Sequence, residues 1–385
     1  PCVFVFGQIS RKVCAAKSVL HILMLHLLVA ATARSTTGDF NCTPITPPPV
    51  PTNISFLHPA HIDYVMALGD SITAAFAVRS DLYEGRDISW SVGVGDPGHI
   101  TLPFLMQQYN ARQTIEGMST KKVLPNDITK LPHNDYHPKT DHLNVAESSG
   151  AVHRGSLEEQ WAFLTTAAKG YPASAFEKGW KVITLWMTAN DVCGECDAPL
   201  AGSPYLVDWT TRTETFLQNV SETFSNVYVN LVSTLDLSNV ARIQRSKLGC
   251  KIEHQILKEC GCVDKGNETQ LEMLDTNVHT MNAELHTLAK SWRSKLVDEG
   301  RWDMAVVMQP YQEGVGSQLD WHWLNTLDCF HPSELGHASL AKGLWNSMLN
   351  ANIPFGATVP VACPTAETFF YTGEDRPAPP PPRTL

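Results

Sequence analysis

Short runs of apolar residues alternate along this chain with longer segments in which apolar residues recur at helical spacing. The run from Trp180 to Met187 is almost wholly apolar, which is typical of a central strand in a parallel sheet. Predicted strands cover residues 63–68, 142–146, 180–187, 227–232 and 304–308. Predicted helices cover residues 71–78, 101–110, 157–168, 211–225, 269–292 and 332–349. Because strand and helix alternate throughout, we predict an α/β fold, a parallel sheet with helices on both faces.

Three stretches interrupt this alternation. Residues 34–60 are predicted to form an extended lead-in, stiffened by the prolines at 47–49. Residues 111–141 are polar with scattered proline, which predicts a long loop or insertion of the kind that often serves as a lid. Residues 366–385 end in a proline-rich run and are predicted to be a disordered tail.

The amino-terminal segment, residues 1–33, has the pattern of a secretory signal peptide. Basic residues between positions 11 and 17 precede an apolar run, Val19 to Ala31, and the small residues after it predict cleavage following Ala33. The run is short for a membrane span; the alternative is an uncleaved signal anchor. Since the chain starts with Pro1 and not methionine, we expect its natural start to lie upstream.

The composition indicates the size of the domain and limits the classes of binding partner. The chain has 385 residues, of which 43% are hydrophobic and 18% charged, enough for one large domain, which we place at residues 61–365. The formal net charge of −10 argues against a nucleic-acid partner and against a basic patch that grips anionic membrane. We therefore expect a monomer without nucleic acid.

The cysteines agree with export. Two of the ten lie in the signal segment, and an even number in the remaining secreted chain predicts disulfide bonds. We expect Cys42 to pair with Cys363, since these two flank the domain. The alternative for Cys193–Cys196 and Cys260–Cys262 is a zinc site, although the second spacing is tight for a zinc knuckle. The disulfide candidates are Cys42, Cys193, Cys196, Cys250, Cys260, Cys262, Cys329 and Cys363.

Asparagine sequons point to the same compartment. Each consists of asparagine, any residue but proline, and serine or threonine, the acceptor for N-linked glycans. The glycosylation candidates are Asn41, Asn53, Asn219 and Asn267.

Candidate chemistry begins where the first strand ends. Ser71 follows Gly69 at a strand-to-turn junction, and open α/β sheets place their active sites at that edge. Far along the chain, Asp328 and His331 precede a predicted helix, at a spacing that lets one short loop present both side chains. The aspartate can then hold one tautomer of the imidazole while its other nitrogen faces the serine. Ser71, Asp328 and His331 are therefore candidate catalytic residues.

Segments across the chain resemble the GDSL or SGNH family of serine hydrolases, and in detail its animal phospholipase B branch. The resemblance runs from about Cys42 to about Cys363. It is carried by the segments 67–71 (ALGDS), 88–93 (ISWSVG), 143–150 (LNVAESSG), 180–185 (WKVITL), 189–193 (ANDVC) and 328–331 (DCFH). The resemblance implies an SGNH-hydrolase-like three-layer sandwich. It also implies an oxyanion hole made by the backbone amides of Ser71 and of Ser149 or Gly150, together with the Asn190 side chain.

Two positions depart from the family pattern. Ser149 stands where the second segment usually has glycine, and a turn there would need the conformational freedom of glycine. Thr188 replaces the glycine of the third segment, so its side chain would crowd the oxyanion site. These departures bear on rate and substrate fit more than on reaction type.

Other polar and aromatic residues near these segments have structural interpretations. We interpret Asp70 as a turn residue, Asp191 as a brace of its own loop, and Trp90 and His337 as packed side chains. His322, between two tryptophans, is a possible substrate contact.

Together these features predict a secreted serine esterase that cleaves fatty-acyl esters of phospholipids and lysophospholipids through an acyl-enzyme, with peripheral contact to lipid surfaces. No cofactor or metal is expected, since serine and histidine supply the nucleophile and the base. One alternative is an esterase acting on acetylated glycans or small esters. The other is a catalytically inactive module that binds lipid or glycan.

Overall fold

The computed structural model describes residues 42–110, 114–124, 136–246, 250, 259–315, 319–356 and 359–373. Several predictions concern residues outside these ranges: the signal peptide, the sequon at Asn41, and most of the proline-rich tail. Parts of the 34–60 lead-in and of the 111–141 insertion are outside them as well.

Within the described residues, one sheet carries four parallel strands in the order β1-β2-β3-β4. Every residue of β2, β3 and β4 is buried, which requires cover on both faces of the sheet. The predicted α/β class is therefore confirmed. The strands are β1 (Ile62–Gly69), β2 (Trp180–Trp186), β3 (Val227–Val232) and β4 (Met304–Gln309).

The helices fill the connections between strands. The long helix α10 packs against β3 and β4, α4 packs against β1, and α11 packs against β4 and α2. Their bounds are α1 (Ser71–Ala74), α2 (Leu102–Gln107), α3 (Pro138–Asp141), α4 (Ser156–Ala168), α5 (Ala173–Lys178), α6 (Ala189–Val192), α7 (Pro204–Thr223), α8 (Leu237–Ser246), α9 (Gly261–Lys265), α10 (Glu268–Asp298) and α11 (Glu334–Met348).

Helix boundaries differ from the predictions where local capping decides them. The predicted helix at 71–78 is wrong beyond Ala74, because Ala75 adopts a left-handed conformation with φ 60°. Helix α7 begins earlier than predicted, at Pro204, where the Ser203 side chain caps the Leu206 amide. Helices α3, α5, α6, α8 and α9 were not predicted.

The predicted strand at 142–146 is also wrong. The segment lies beside β1 and bridges it at Ala67 and Asn144, with backbone hydrogen bonds from Ala67 N to Leu143 O and from Val145 N to Ala67 O. The carbonyls of Asn144 and Ala146 instead accept hydrogen bonds from the Arg86 guanidinium. A buried side chain thus takes the place of further strand pairing.

The core contains the tryptophans of the central segments. Trp90 is completely buried and meets Trp186 edge to face, with ring centroids 5.3 Å apart, which confirms its interpretation as a packed residue. Among the described helices, none combines the length and the apolar character needed to cross a membrane. Of the described sequons, Asn267 is exposed, whereas Asn53 and Asn219 are partly buried.

All eight candidate cysteines are paired in disulfide bonds. Cys42 joins Cys363 as predicted, and the bridge links positions separated by 321 residues. Cys193–Cys260 and Cys196–Cys262 form two adjacent bridges, so their sulfur atoms are not thiolate ligands for zinc. The fourth bridge joins Cys250 to Cys329.

These pairings predict unequal effects on stability. The double substitution Cys42→Ser/Cys363→Ser should lower the free energy of unfolding by about 3–5 kcal/mol, because it opens a very long loop in the unfolded chain. The double substitution Cys193→Ser/Cys260→Ser should cost far less, since the adjacent bridge still closes almost the same loop. Urea denaturation of both variants measures the difference, and equal losses would contradict it.

Candidate active site

Ser71 lies at the carboxyl end of β1, at the first position of α1. A Cβ atom at Gly69 would come within 2.4 Å of Thr73 Oγ1 and 2.7 Å of Trp186 O, so only glycine allows this turn to pack so closely. Asp70 caps α1, because its Oδ1 accepts a hydrogen bond of 2.9 Å from the Ile72 amide. The interpretation of Asp70 as a turn residue is confirmed.

The fold brings the three candidate catalytic side chains together. His331 Nε2 lies 2.7 Å from Ser71 Oγ, although the two residues are 260 positions apart. His331 Nδ1 lies 2.7 Å from Asp328 Oδ2 on the other side of the ring. A carboxylate only accepts hydrogen bonds, so in the neutral imidazole Nδ1 carries the proton and Nε2 is left to accept from the serine hydroxyl. All three side chains are buried.

Asn325, which the sequence analysis did not single out, organises the loop that carries Asp328 and His331. Its side-chain amide donates to Asp328 Oδ1 and to the His331 carbonyl, at 2.9 and 3.0 Å. Its own Oδ1 accepts from the amides of Leu327 and Asp328. The only sequence signal was the short spacing from Asn325 to Asp328, which is ordinary turn chemistry.

Two further contacts fix the middle of the same loop. Cys329 adopts a left-handed conformation, φ 53°, and is tied to Cys250 by a disulfide bond. The Gln244 side chain of α8 donates a hydrogen bond of 3.0 Å to the Cys329 carbonyl. Strain at this position is therefore opposed by a covalent and a polar anchor.

The electrostatics of the pair favour a charged imidazole. Burial alone would lower the pKa of His331, but the adjacent carboxylate of Asp328 outweighs it and raises that pKa above its usual value. Burial alone would raise the pKa of Asp328, yet His331 and the amides of Phe330 and His331 hold it below its usual value. At Asp70 burial outweighs the hydrogen bond from the Ile72 amide and the charge of His331, and it raises the pKa of this carboxyl to about 7.

The second family segment forms a loop, residues 144–150, that we call the donor loop. The Gly150 amide donates to Glu147 O at 2.9 Å, so the expectation that Gly150 supplies an oxyanion donor is not supported. No hydrogen bond from the Ser149 amide is found within the described part of the chain. The Asn190 side chain donates to Gly150 O at 3.0 Å and, as an amide, has a second N–H. The Ser149 amide and the second N–H of Asn190 thus have no hydrogen-bond acceptor among the described residues.

The two departures from the family pattern differ in backbone conformation. Ser149 has φ 66°, the left-handed region in which glycine is favoured. Thr188 has φ −97°, which any residue can adopt, so glycine is not required there. The strain caused by these replacements is therefore confined to the donor loop.

Asp191 links the donor side of the site to the helix that carries Asn190. Its carboxylate accepts hydrogen bonds from the amides of Val152 and His153 and from the His153 ring, at 2.7–3.0 Å. Tyr205 Oη donates to the Asp191 carbonyl at 2.7 Å. The interpretation of Asp191 as a loop brace is confirmed.

His337 and His322, the other two histidines considered in the sequence analysis, differ in burial. His337 is buried, its Nδ1 accepts from the Trp90 amide at 3.3 Å, and burial lowers its pKa to about 3, as expected of a packed residue. His322 is exposed beside Trp321 and is held by Asp320 at 3.2 Å. A role for His322 in substrate contact stays a prediction.

This arrangement has the parts needed for acyl transfer. A hydroxyl, an imidazole and a carboxylate in hydrogen-bonded order can produce a nucleophile at Ser71. Free N–H groups can stabilise negative charge that develops on a carbonyl oxygen when they lie within hydrogen-bond distance of it.

Comparison with known proteins shows similarity over most of the chain. The GDSL-like lipase/acylhydrolase family model matches residues 65–344. Membrane-associated phospholipase B1 of Homo sapiens is 30% identical over 357 residues, which cover 87% of this chain and 23% of that protein. Its Mus musculus counterpart is 29% identical over 365 residues, with 87% and 22% covered. The chain thus spans less than a quarter of the length of these relatives.

Among solved structures, a catalytic mutant of an acetylxylan esterase from Geobacillus stearothermophilus aligns with 74% of this chain and 93% of its own. The TM-score is 0.38 and the sequence identity 13%.

The left-handed conformation of Ser149 predicts a stabilising substitution. Ser149→Gly should raise the free energy of unfolding by about 0.5–1 kcal/mol, because glycine adopts this φ without a Cβ clash. Ser291→Gly, at an exposed position inside α10, is the matched control and should lower it by about 0.5 kcal/mol. Urea denaturation compares the two, and a loss of stability in both would show that Ser149 is not strained.

Proposed function

The chain belongs to the GDSL-like lipase/acylhydrolase family, and we propose that it is a serine esterase with Ser71 as nucleophile, His331 as general base and Asp328 as the residue that orients the imidazole. The observation that carries this proposal is the pair of 2.7 Å hydrogen bonds that runs from Ser71 through His331 to Asp328. Residues from opposite ends of the matched region form it.

Each step uses groups of this chain. His331 Nε2 removes the Ser71 hydroxyl proton as Oγ attacks the ester carbonyl, and Asp328 stabilises the imidazolium that results. Collapse of the tetrahedral intermediate expels the alcohol, which takes the proton from His331, and leaves an acyl group on Ser71. Water, deprotonated by the same imidazole, then releases the acid and restores the serine.

The tetrahedral oxyanion needs donors placed where charge develops. We assign this role to the backbone amides of Ser71 and Ser149 and to the second N–H of the Asn190 amide. Asn190 is partly exposed and already anchored to Gly150 O, so its orientation is fixed before substrate arrives. Preorganised donors of this kind need no reorganisation during the reaction.

We propose fatty-acyl esters of phospholipids and lysophospholipids as substrates, with peripheral contact to zwitterionic lipid surfaces. The support is the similarity to membrane-associated phospholipase B1 over 87% of the chain. The acidic net charge of −10 favours neutral over anionic surfaces. The four disulfide bonds support the further proposal that the protein is exported.

One observation favours the alternative, esters with short acyl groups. An apolar recess of about 20 Å³ is lined in part by Ile72, Ala189 and Phe330, each of which is next in sequence to a candidate site residue. Trp186 and Trp323 also form part of its wall. A volume of this order holds roughly one water or methyl group. The methyl group of an acetyl ester has about this size, whereas a fatty-acyl chain is far larger than the recess.

A substrate panel tests the proposal and separates its alternatives. Purified protein in EDTA should release fatty acid from phosphatidylcholine and lysophosphatidylcholine, because no step requires a metal-bound water. A fluorophosphonate probe should label the protein, and Ser71→Ala should abolish both labelling and hydrolysis. Ser291→Ala, which removes an exposed serine on α10, is the control and should change neither.

Each contrary result has its own meaning. Cleavage of acetyl esters alone would favour the short-acyl alternative. Labelling that persists in Ser71→Ala would exclude Ser71 as the nucleophile. Failure to cleave any ester, with Ser71 unlabelled, would favour the inactive binding module.

The raised pKa of His331 predicts the pH profile. Only neutral imidazole accepts the serine proton, so kcat/KM should rise with pH along a limb placed above the usual histidine pKa of about 6.5. Asp328→Asn should move this limb to lower pH and reduce kcat by about 10⁴. Asp70→Asn removes a weaker influence on His331 and should move the limb less. A limb that stays in place in Asp328→Asn would contradict the assignment of His331.

A further inference from the structure

A buried charged network lies directly behind the donor loop. Arg86 and Glu84 are fully buried and joined by a hydrogen bond of 2.7 Å from Arg86 Nε to Glu84 Oε2. The Oδ2 atom of Asp141, which is also buried, lies 3.5 Å from Arg86 Nη1. None of these three residues belongs to a family segment named above, and the proposed mechanism uses none of them.

The network forms a hydrogen bond with every second residue of the donor loop from Asn144 to Ser148. Arg86 Nη1 donates to Asn144 O at 3.1 Å, and Nη2 donates to Ala146 O at 2.8 Å. The other oxygen of Glu84, Oε1, accepts from Ser148 Oγ at 2.6 Å. Three contacts, two residues apart, therefore anchor the loop up to the residue that precedes Ser149.

The opposite side of the loop is anchored to the nucleophile strand. The Glu147 amide donates to Gly69 O at 3.2 Å, two residues before Ser71. The backbone of Arg86 is also held in place, because Ser119 Oγ donates a hydrogen bond of 2.6 Å to the Arg86 carbonyl. The residues that precede Ser149 are thus anchored to Arg86 and Glu84 on one side and to the end of β1 on the other.

Stability alone does not account for buried charges here. Replacing a buried ion pair by apolar residues of similar volume is often neutral or stabilising, so retaining one calls for another role. A planar guanidinium, unlike an apolar side chain, can hold two carbonyls and a carboxylate in one fixed geometry.

We infer that Arg86 and Glu84 are positioning residues that aim the Ser149 amide at the oxyanion formed on Ser71. The inference rests on the proposed function, since it concerns the donors of that same site. Misplacing a catalytic group by as little as 1 Å can cost about 10² in rate. Loosening the loop should therefore weaken binding of the tetrahedral species and leave binding of the ground-state ester unchanged.

Steady-state kinetics and one inhibitor test this inference. The variants are Ser148→Ala, which removes only the hydroxyl that Glu84 holds, Glu84→Gln and Arg86→Lys. The inhibitor is n-butylboronic acid, whose boron accepts the Ser71 oxygen while His331 takes its proton, giving a tetrahedral anion. We expect kcat to fall about tenfold with KM unchanged, and Ki for the boronic acid to rise by the same factor.

Two matched controls separate positioning from general loss of structure. Ser233→Ala removes a buried serine hydroxyl that bonds Gln309 O, and Arg301→Lys alters a bidentate pair with Asp303 at the amino end of β4. Neither side chain contacts the donor loop among the described residues, so both controls should keep kcat and Ki. Ser148→Ala, the mildest change, keeps the test valid if Arg86→Lys does not fold.

The outcomes are distinct from failure of the proposed function. Unchanged kcat and Ki in folded Ser148→Ala and Glu84→Gln would overturn the inference, as would a fall in kcat with no change in Ki. The proposed function would still stand in both cases, provided that Ser71→Ala is inactive. Activity that persists in Ser71→Ala would instead refute the proposed function itself.

Discussion

The hydrogen bond between Ser71 Oγ and His331 Nε2, 2.7 Å long, is the contact on which the site depends, because it joins residues 260 positions apart. Parallel topology makes it possible. The carboxyl ends of all strands share one edge of the sheet, so the turn after β1 and the loop before α11 meet there. Asn325 fixes the second of these segments, and Arg86 and Glu84 hold the donor loop.

Burial of charge imposes a second constraint on the same region. Asp328, Asp70 and Glu84 are all buried, and each has backbone or side-chain hydrogen-bond donors around it. Satisfying such groups requires amides and carbonyls that regular helices and strands would use internally. Regular structure is interrupted beside these groups. Ala75 ends α1 with a left-handed φ of 60°, and the Arg86 guanidinium binds the carbonyls of Asn144 and Ala146.

Asn325 and Asp191, one neutral and one an acidic residue, each fix a loop beside the site through side-chain hydrogen bonds. Asn325 acts as donor and acceptor at once and shapes the loop of Asp328 and His331. Asp191, next to Asn190 in the chain, instead fixes the loop that follows the donor loop. Both sides of the site are therefore held by side chains that lie within three residues of one that we propose to act in catalysis, Asn325 before Asp328 and Asp191 after Asn190.

The sequence alone predicted the alternation of strands and helices, the pairing of Cys42 with Cys363, and the meeting of Ser71 with Asp328 and His331. These follow from local patterns, since apolar periodicity, cysteine parity and family segments can each be recognised without knowing long-range contacts. The hydrogen bond that occupies the Gly150 amide, the role of Asn325, and the Arg86 network behind the donor loop were decided only by the tertiary structure. Each depends on which buried polar atoms meet across the fold, and no local pattern along the chain records such distances.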